Sequence, residues 1–475
     1  MKNKLLTLFG LLVIASMALS ACGGAAPTEA PAATEAPAAT EAPAATEAPA
    51  ATEAPAATGE LYYLNFKPEV AETYAKIAEA WNAETGNTLK VVTAASGTYE
   101  QTLKSEIAKS DPPVLFQING PVGYAAWKDY TADLSGTELY KHLTDKSLAV
   151  TDGDGVYGLP YVIEGYGIIY NNAIMDKYFA TEGAKATSMD EINNFATLKA
   201  VVEDMQSKKD ALGIGGVFCS TSLKPGEDWR WQTHLADVPI FYEFRDNNLN
   251  LSDPAATAEV TFQYADNYKN IFDLYINNST TAPTLLGSKS VDDSMAEFAL
   301  GQCTMVQNGN WAWGQISGVD GNTVKPEEVK YLPIYAGMPG EEKQGLNIGT
   351  ENFFSINKQA APEKQQLAAD FIWWLYSSPT GKAFVTNDLK FMTPFDTFAD
   401  DEKPTDPLAR EVLRYAGNPD LYSVPWYFTL FPGQPFKDAF GAALLQYAQG
   451  TMPWADVQQL FIDQWKTEKA KAAGG

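Results

Sequence analysis

Cysteine, histidine and basic residues are scarce in this sequence. It has three cysteines and two histidines in 475 residues, and 34 Lys and Arg against 59 Asp and Glu. No C-x-x-C, H-E-x-x-H or G-x-S-x-G motif occurs, which excludes these common signatures of zinc sites, metalloproteases and serine hydrolases. The formal net charge of −25 argues against nucleic acid or anionic lipid as a ligand. We therefore expect no metal, no cofactor and no nucleic-acid partner.

Two short stretches resemble ligand-binding motifs but depart from them. Asp152 and Asp154 resemble the start of a calcium loop, but Ile163 stands where an EF-hand needs a glutamate. The glycine-rich stretch GIGGVFCSTS lacks the G-K-[ST] of a phosphate loop. We interpret DGDG at 152–155 as a hairpin turn instead.

The first 22 residues have the pattern of a secretory signal. Lys2 and Lys4 stand beside the apolar run LLTLFGLLVIASMAL, and LSAC at 19–22 places small residues before Cys22. This pattern predicts a signal peptide over 1–21, cleavage before Cys22, and lipid on that cysteine. No later run of eighteen apolar residues occurs, so no membrane span is predicted in the rest of the chain. We expect a protein anchored by lipid to the outer face of the cell membrane, extracellular or periplasmic.

Residues 22–59 are dominated by a six-residue repeat, A-P-A-A-T-E. The repeat has no large apolar residue, so it cannot bury enough surface to offset the entropy lost on ordering. Its regular prolines and mutually repelling glutamates favour an extended chain, which spans at most on the order of 100 Å. We predict a disordered tether between Cys22 and a folded body.

The remaining cysteines, Cys219 and Cys303, lie in apolar, strand-like stretches. Cysteines of exported proteins often pair, so a disulfide between them is one interpretation. The other is a pair of buried free thiols, and that is the state we expect.

The body from residue 60 onward is too long for one hydrophobic core, and about 415 residues indicate at least two domains. It opens with strand-like runs at 61–66, 88–93 and 113–118. A helix begins at Pro68 and ends before Gly86, and TYEQ at 98–101 resembles a capping box that opens a second helix. This β-α-β-α-β order predicts a parallel sheet flanked by helices, with ligand beyond the carboxyl ends of its strands.

Three later stretches carry a family resemblance. They are GVYGLPYVIEGYGIIYNNAIMD, FALGQCTMVQNGNWAW, and the region from YLPIYAG through FFSIN to TGKAFV. Their order and spacing resemble the extracellular solute-binding proteins of carbohydrate ABC importers, the group that includes maltodextrin-binding protein. The resemblance covers residues 60 to 475.

The resemblance implies an α/β, two-lobed periplasmic-binding-protein fold of type II. Each lobe would be a mainly parallel sheet flanked by helices, and crossing strands would join the lobes near 164–167, 331–333 and 390–394. Lobe one would comprise 60–165 plus 332–392, and lobe two 166–331 plus 393–475. The implied function is capture of a mono- or oligosaccharide by hinge closure, as a monomer, and its delivery to the permease subunits of an ABC importer, with no enzymatic activity.

Sugars present apolar C–H faces and hydroxyl groups, and the family covers the hydroxyls mostly from lobe one. Asn65 and Lys67 end the first strand, and Asn119 ends the third. Glu164 matches a family carboxylate at the hinge, and the adjacent Glu351 and Asn352 approach a late strand. The resemblance implies that these six residues hold sugar hydroxyls.

The family supplies aromatic platforms from lobe two, and four tryptophans are candidates. Trp311 matches the stacking tryptophan of a G-x-W turn, and Trp426 lies in the aromatic run LYSVPWYFTLFPGQPF. Trp229 and Trp231 are two residues apart, so one of them is favoured over both. Arg230 between them has two alternatives, an acidic partner or the ligand.

Two other functions are consistent with the composition. An anchored glycoside hydrolase needs two carboxylates facing one bond, and a chain with 59 acids can always supply candidates. A binding protein for a non-sugar solute is the second alternative, but the eleven tryptophans favour sugar.

Overall fold

The computed structural model describes residues 59–95, 97–251 and 254–474. The predicted signal peptide, the lipidation site Cys22 and the tether up to residue 58 lie outside the described residues. None of the helices among the described residues is both long and apolar enough to cross a membrane.

Twelve strands form three sheets in the described part of the chain. The strands are β1 Glu60–Asn65, β2 Thr88–Thr93, β3 Leu115–Ile118, β4 Val150–Asp152, β5 Gly155–Gly158, β6 Glu164–Asn171, β7 Gly216–Phe218, β8 Cys303–Gly309, β9 Val329–Leu332, β10 Gln344–Gly349, β11 Phe353–Ile356 and β12 Tyr422–Pro425.

Helices cover the sheets and form most of the remaining structure. They are α1 Ala71–Thr85, α2 Tyr99–Ile107, α3 Gly120–Trp127, α4 Glu138–Lys141, α5 Asn172–Phe179, α6 Phe195–Ser207, α7 Lys209–Leu212, α8 Ala236–Asp246, α9 Ala265–Asn277, α10 Val291–Ala299, α11 Ala312–Ser317, α12 Pro362–Ser377, α13 Pro379–Ala383, α14 Pro407–Ala416, α15 Gln434–Ala448 and α16 Trp454–Gly474.

The first sheet has the strand order β11-β3-β1-β2, in which β1, β2 and β3 are parallel and β11 is antiparallel. Alternation along β1 places Leu61 and Tyr63 in one hydrophobic core and Leu64 in another. Both faces of the sheet are therefore buried, as the predicted β-α-β-α-β order requires. The pairing of Asn65 with Thr93 makes β1 and β2 end level, so the loops that follow them emerge together.

Of three local predictions around these strands, two are confirmed and one is wrong. Gly86 ends α1 in a left-handed conformation with φ of 75°, which confirms the predicted helix end. The predicted capping box at Thr98 is wrong, because the Thr98 side chain accepts no capping hydrogen bond and its hydroxyl donates to the Ala95 carbonyl. The DGDG turn is confirmed, since Asp152 pairs with Gly155 across the β4–β5 hairpin.

The second sheet has the order β12-β10-β6-β8-β7, and β9 also pairs with β6. All eight residues of β6 are buried, and β6 runs antiparallel to β8, β9 and β10. This sheet is consequently mixed instead of mainly parallel. We call the part of the structure around the first sheet lobe one and the part around the second sheet lobe two.

The second crossing between the lobes lies later than the sequence predicts. We expected it near 331–333, but β10 still pairs with β6 and β12 in lobe two, and only β11 joins lobe one. The chain therefore crosses at 350–352. Asn352 on this segment and Lys390 both have positive φ, at 56° and 57°. The third crossing was predicted near 390–394, but Phe395 still pairs with Leu143 and packs in the core that contains Leu61, so the chain leaves lobe one later.

Cys219 and Cys303 form a disulfide, so the expected free thiols are wrong. Because β7 lies parallel to β8, the residue after β7 comes within 5.2 Å of the first residue of β8, measured between Cα atoms. That separation lies in the usual range for a disulfide. The sequence separation of 84 residues hides this proximity.

Candidate ligand-binding site

A cavity of ≈ 440 Å³ lies where the loops of the two lobes meet. Its volume is within the range of small-molecule sites in proteins. Lobe one contributes residues that follow β1, β2 and β3, as expected for the carboxyl ends of parallel strands. Its lining includes Lys67, Glu69, Glu100, Asn119, Glu227, Asp228, Trp229, Arg230, His234, Asp292, Trp311, Gln315, Glu351, Asn352, Phe428 and Lys437.

The lobes touch each other at the cavity. A Cβ atom added to Gly97 would lie 2.5 Å from the Cα of Gly226, and one added to Gly120 would lie 2.9 Å from the Cβ of Thr429. Gly97, Gly120 and Gly226 have φ of 70°, 62° and 85°, a region that glycine adopts readily. Glycine therefore allows backbone from the two lobes to meet closely, and the structure has the lobes closed over the cavity.

Lys67 and Glu164 form a buried ion pair beside the cavity. Lys67 Nζ donates to both carboxylate oxygens of Glu164, at 2.9 and 3.2 Å, and lies 3.6 Å from Glu69. Burial alone would lower the pKa of Lys67, but the carboxylates of Glu164, Glu69 and Glu351 outweigh it and raise that pKa. Burial raises the pKa of Glu164, although the ammonium of Lys67 opposes it. Lys67 thus links the end of β1 to the first residue of β6.

Asn65 stabilises the turn after β1 and does not line the cavity. Its amide nitrogen donates to the Lys67 carbonyl at 2.8 Å and to the Thr93 hydroxyl at 3.1 Å. Its amide oxygen accepts the Lys67 backbone N–H at 3.2 Å. These bonds fix the turn that carries Lys67, so Asn65 positions a lining residue and does not itself reach the cavity.

Glu351, Asn352 and Asn119 line the cavity, as the sequence places them. Burial raises the pKa of Glu351 to about 7, although Lys67 opposes the shift. Asn119 precedes α3 without a side-chain cap, and its buried Oδ1 has no protein partner among the described residues. The side chains of Glu351 and Asn119 therefore both have hydrogen-bonding capacity for a ligand. Glu164 itself borders an adjoining cavity of ≈ 380 Å³, which shares Trp311 with the first.

An aromatic wall faces these polar groups. Trp229 and Trp311 both line the cavity, with ring centroids 5.9 Å apart. His234 lies between aromatic neighbours, 4.7 Å from Trp229 and 4.4 Å from Phe428. Burial, with Arg230 and Lys67 nearby, lowers the pKa of His234 well below its usual value, so the imidazole is neutral. The wall consequently presents a largely apolar surface of rings inclined to one another.

Trp311 is held by the glycine of its own turn. A Cβ atom added to Gly309 would lie 2.1 Å from the Trp311 ring. Only glycine at that position leaves room for the ring to fold back over the strand. The ring also lies 5.1 Å from Lys67 Nζ, which is within cation–π range.

Trp231 and Trp426 do not line the cavity. Trp231 is 1% exposed, its indole donates to the Ser222 carbonyl at 2.9 Å, and its ring packs on Phe272. Trp426 is 4% exposed and packs against Gly349, behind Trp311. Phe428, two residues further on, lines the cavity instead. Both tryptophans are therefore core residues of lobe two.

Arg230 is the lining residue that sequence reasoning left undecided. Its side chain is 2% exposed, and its guanidinium carbon lies 3.9 Å from the centre of the Trp229 ring. Nη2 donates to Asn308 at 3.2 Å, and no carboxylate lies within 4 Å among the described residues. Burial lowers the pKa of Arg230 to about 10, which leaves it charged at neutral pH.

His234, Gln315 and Lys437 also line the cavity and were not predicted. Nothing in the sequence distinguishes them from core or surface residues, because they follow no motif. No cluster of His, Cys, Asp and Glu side chains suited to a metal ion occurs within the described ranges.

The model of the family described as bacterial extracellular solute-binding protein matches residues 76–411. No curated protein sequence matches the chain closely enough to count as a relative.

Several solved structures resemble the chain closely in fold. A chitin oligosaccharide binding protein has a TM-score of 0.66 at 17% identity, over 87% of this chain and 99% of its own. The solute-binding protein RafE in complex with raffinose has a TM-score of 0.63 at 17% identity, over 85% and 99%. Maltose-bound MalE3 of T. maritima has a TM-score of 0.61 at 16% identity, over 86% and 100%. These likenesses confirm the predicted two-lobed α/β fold.

Proposed function

Since the chain belongs to the bacterial extracellular solute-binding proteins, we propose that it captures a sugar between its lobes and delivers it to the permease of an ABC importer. The observation that carries the proposal is the pairing of two kinds of surface in one cavity. Polar groups of Lys67, Asn119, Glu351 and Asn352 face the rings of Trp229 and Trp311.

This pairing suits a sugar because a sugar has two kinds of surface. The C–H groups on a pyranose face pack well on an aromatic ring, which supplies large apolar contact area. Hydroxyl groups both donate and accept, so amide and carboxylate groups satisfy them in either role. The structural neighbours named above include proteins described with chitin oligosaccharide, raffinose and maltose.

We propose that binding stabilises the closed arrangement of the lobes. A ligand that touches Lys67 on lobe one and Trp311 on lobe two gains contacts that are absent once the lobes separate. Differential affinity of this kind is what shifts a conformational equilibrium. The glycine contacts at Gly97 and Gly120 then close around the ligand, and the closed form docks on the permease.

The cellular setting is part of the proposal. A lipid on Cys22 would hold the protein at the outer face of the cell membrane, and residues 23–58 would let the folded body reach the permease. The protein would act as a monomer. The family and its structural neighbours are binding proteins and not enzymes, and we propose that this chain breaks no bond. Hydrolysis of a chromogenic glycoside by the pure protein, lost on Glu164→Gln, would favour the hydrolase alternative.

The test is a thermal-shift screen against mono- and oligosaccharides. The protein is first unfolded in denaturant and refolded with its disulfide intact, which removes any ligand acquired in the cell. A sugar at 100 times its Kd adds about 2.7 kcal/mol of stability, or roughly 3 °C in Tm for a chain of this size. If no sugar in a broad panel shifts the Tm, the proposal fails.

A variant locates the binding to this cavity. Trp311→Ala should weaken the affinity for a sugar found in the screen by at least about tenfold, because the ring that packs on the sugar is lost. Trp373→Ala is the matched control, since Trp373 is partly buried, stacks on His142 and does not line the cavity. Equal affinities in the two variants would place the sugar elsewhere.

A further inference from the structure

Arg230 places a buried positive charge at the cavity, with most of its N–H donors unpaired in the described part of the chain. The side chain is buried, its guanidinium stacks on Trp229, and only Nη2 has a hydrogen-bond acceptor, the amide oxygen of Asn308. Nε and Nη1 are buried without an acceptor among the described residues. A buried guanidinium with free donors is unfavourable unless a partner accepts them.

Three of the nearby carboxylates are engaged with other groups. Glu227 accepts from Lys224 at 2.6 Å and from the Val291 backbone at 2.7 Å. Glu69 lies 3.6 Å from Lys67 Nζ, and Asp228 accepts the Gly226 backbone N–H at 3.2 Å. No carboxylate among the described residues lies within 4 Å of the Arg230 guanidinium, although several lie in the same cavity.

The surfaces around Arg230 define what ligand it would take. A guanidinium presents N–H donors in a plane that matches a carboxylate, and stacking on Trp229 fixes that plane. The cavity also holds Glu100, Glu351 and Asp292. These acids repel a doubly charged phosphate more strongly than a singly charged carboxylate, and one carboxylate balances one guanidinium.

We propose that the ligand is an acidic sugar whose carboxylate binds Arg230 while its ring lies on the tryptophans of the aromatic wall. This inference rests on the proposed sugar-binding function and narrows it to uronic acids and oligosaccharides that contain them. The carboxylate accepts hydrogen bonds from the guanidinium of Arg230. The hydroxyl groups bind the polar residues of lobe one.

The experiment compares matched sugars by isothermal titration on the ligand-free full protein. The probes are glucuronate, galacturonate and mannuronate and their dimers, each paired with the neutral sugar of the same stereochemistry. We expect at least one acidic member to bind about tenfold or more tightly than its neutral counterpart, since charge-assisted hydrogen bonds exceed neutral ones.

Variants at Arg230 separate recognition from a structural role. Arg230→Met should weaken uronate binding by about 30-fold or more, because it removes one partner of a buried charge pair. Binding of the neutral counterpart should change only a few-fold. The unliganded variant should melt no lower than the wild type, because an unpaired buried charge is replaced by an apolar side chain.

Two further variants complete the set. Arg230→Lys keeps the charge without the planar fork and should retain part of the uronate preference, and it serves if the methionine variant fails to fold. Arg414→Met removes an arginine that is paired with Glu411 and does not line the cavity, so it should leave uronate affinity unchanged.

The outcomes distinguish this inference from the function on which it rests. Neutral sugars that bind as tightly as their uronates would overturn the acidic-ligand inference and leave sugar binding intact. Binding of neither class would overturn both. A lower Tm for Arg230→Met with an unchanged uronate preference would make Arg230 a structural residue and would also overturn the inference.

Discussion

The Lys67–Glu164 pair is asymmetric, and its asymmetry predicts unequal effects of removing each partner. Lys67 has a second carboxylate, Glu69, 3.6 Å away. Glu164 is 1% exposed, and no other cation lies within 4 Å of it among the described residues. Removing the lysine therefore leaves an uncompensated buried carboxylate, whereas removing the glutamate leaves a lysine that still has a partner.

The magnitudes follow from this difference. Lys67→Met should destabilise the unliganded protein by about 3–5 kcal/mol, the range for breaking a buried ion pair. Glu164→Gln should destabilise it by about 1–2 kcal/mol, because the amide oxygen still accepts from the ammonium. The double variant should be more stable than Lys67→Met alone, since no isolated charge remains. Lower pH should also reduce the deficit of Lys67→Met, because a protonated Glu164 is tolerated in the core.

The assay is urea denaturation of ligand-free protein, with each variant refolded in the same way. Lys199→Met is the matched control, because it removes a lysine from an exposed ion pair with Glu203 and should change stability little. If Glu164→Gln destabilises the protein as much as Lys67→Met does, then Glu69 does not compensate Lys67 and the reasoning is refuted.

Two other predictions concern stability. The raised pKa of Glu351, about 7 in the folded state against 4.5, means that the folded protein binds more protons than the unfolded chain between these values. The free energy of unfolding of the wild type should therefore fall by up to about 3 kcal/mol relative to that of Glu351→Gln as pH rises from 5 to 8. Urea midpoints at several pH values measure this difference. A rise instead of a fall would mean that neighbouring groups compensate the Glu351 carboxylate. Replacing Cys219 and Cys303 by serine should lower stability by about 4–5 kcal/mol, because the disulfide closes a loop of 84 residues. Reduced and oxidised wild type with equal urea midpoints would contradict this estimate.

Local patterns in the sequence predict the first sheet well. The strands β1, β2 and β3 and the end of α1 follow from apolar runs, Pro68 and Gly86, which act within a few residues. The second crossing could not be placed in this way. β10 and β11 are separated by three residues but belong to different sheets, and only long-range pairing decides which strand each one joins.

The site residues that could be predicted are those that follow a strand or belong to a recognisable motif. Lys67, Asn119 and Trp311 follow from strand ends and the G-x-W turn, and the structure places all three at the cavity. Trp229 and Trp231 could not be separated, because Trp229 precedes the π-helical segment Arg230–Leu235, in which Trp231 turns into the core. The free donors of Arg230 depend on which acids surround it, and that is a property of the folded chain alone.

The position of β11 has a consequence for how the protein is made. Among the named strands of the described residues, β11 pairs with β3 and completes lobe one, yet it follows β3 by roughly 235 residues, which a ribosome adds in roughly 12–47 s. During that interval the outer edge of β3 has no strand to pair with, and an unpaired edge is open to aggregation and to chaperones. The first lobe therefore cannot finish folding while the chain is still short.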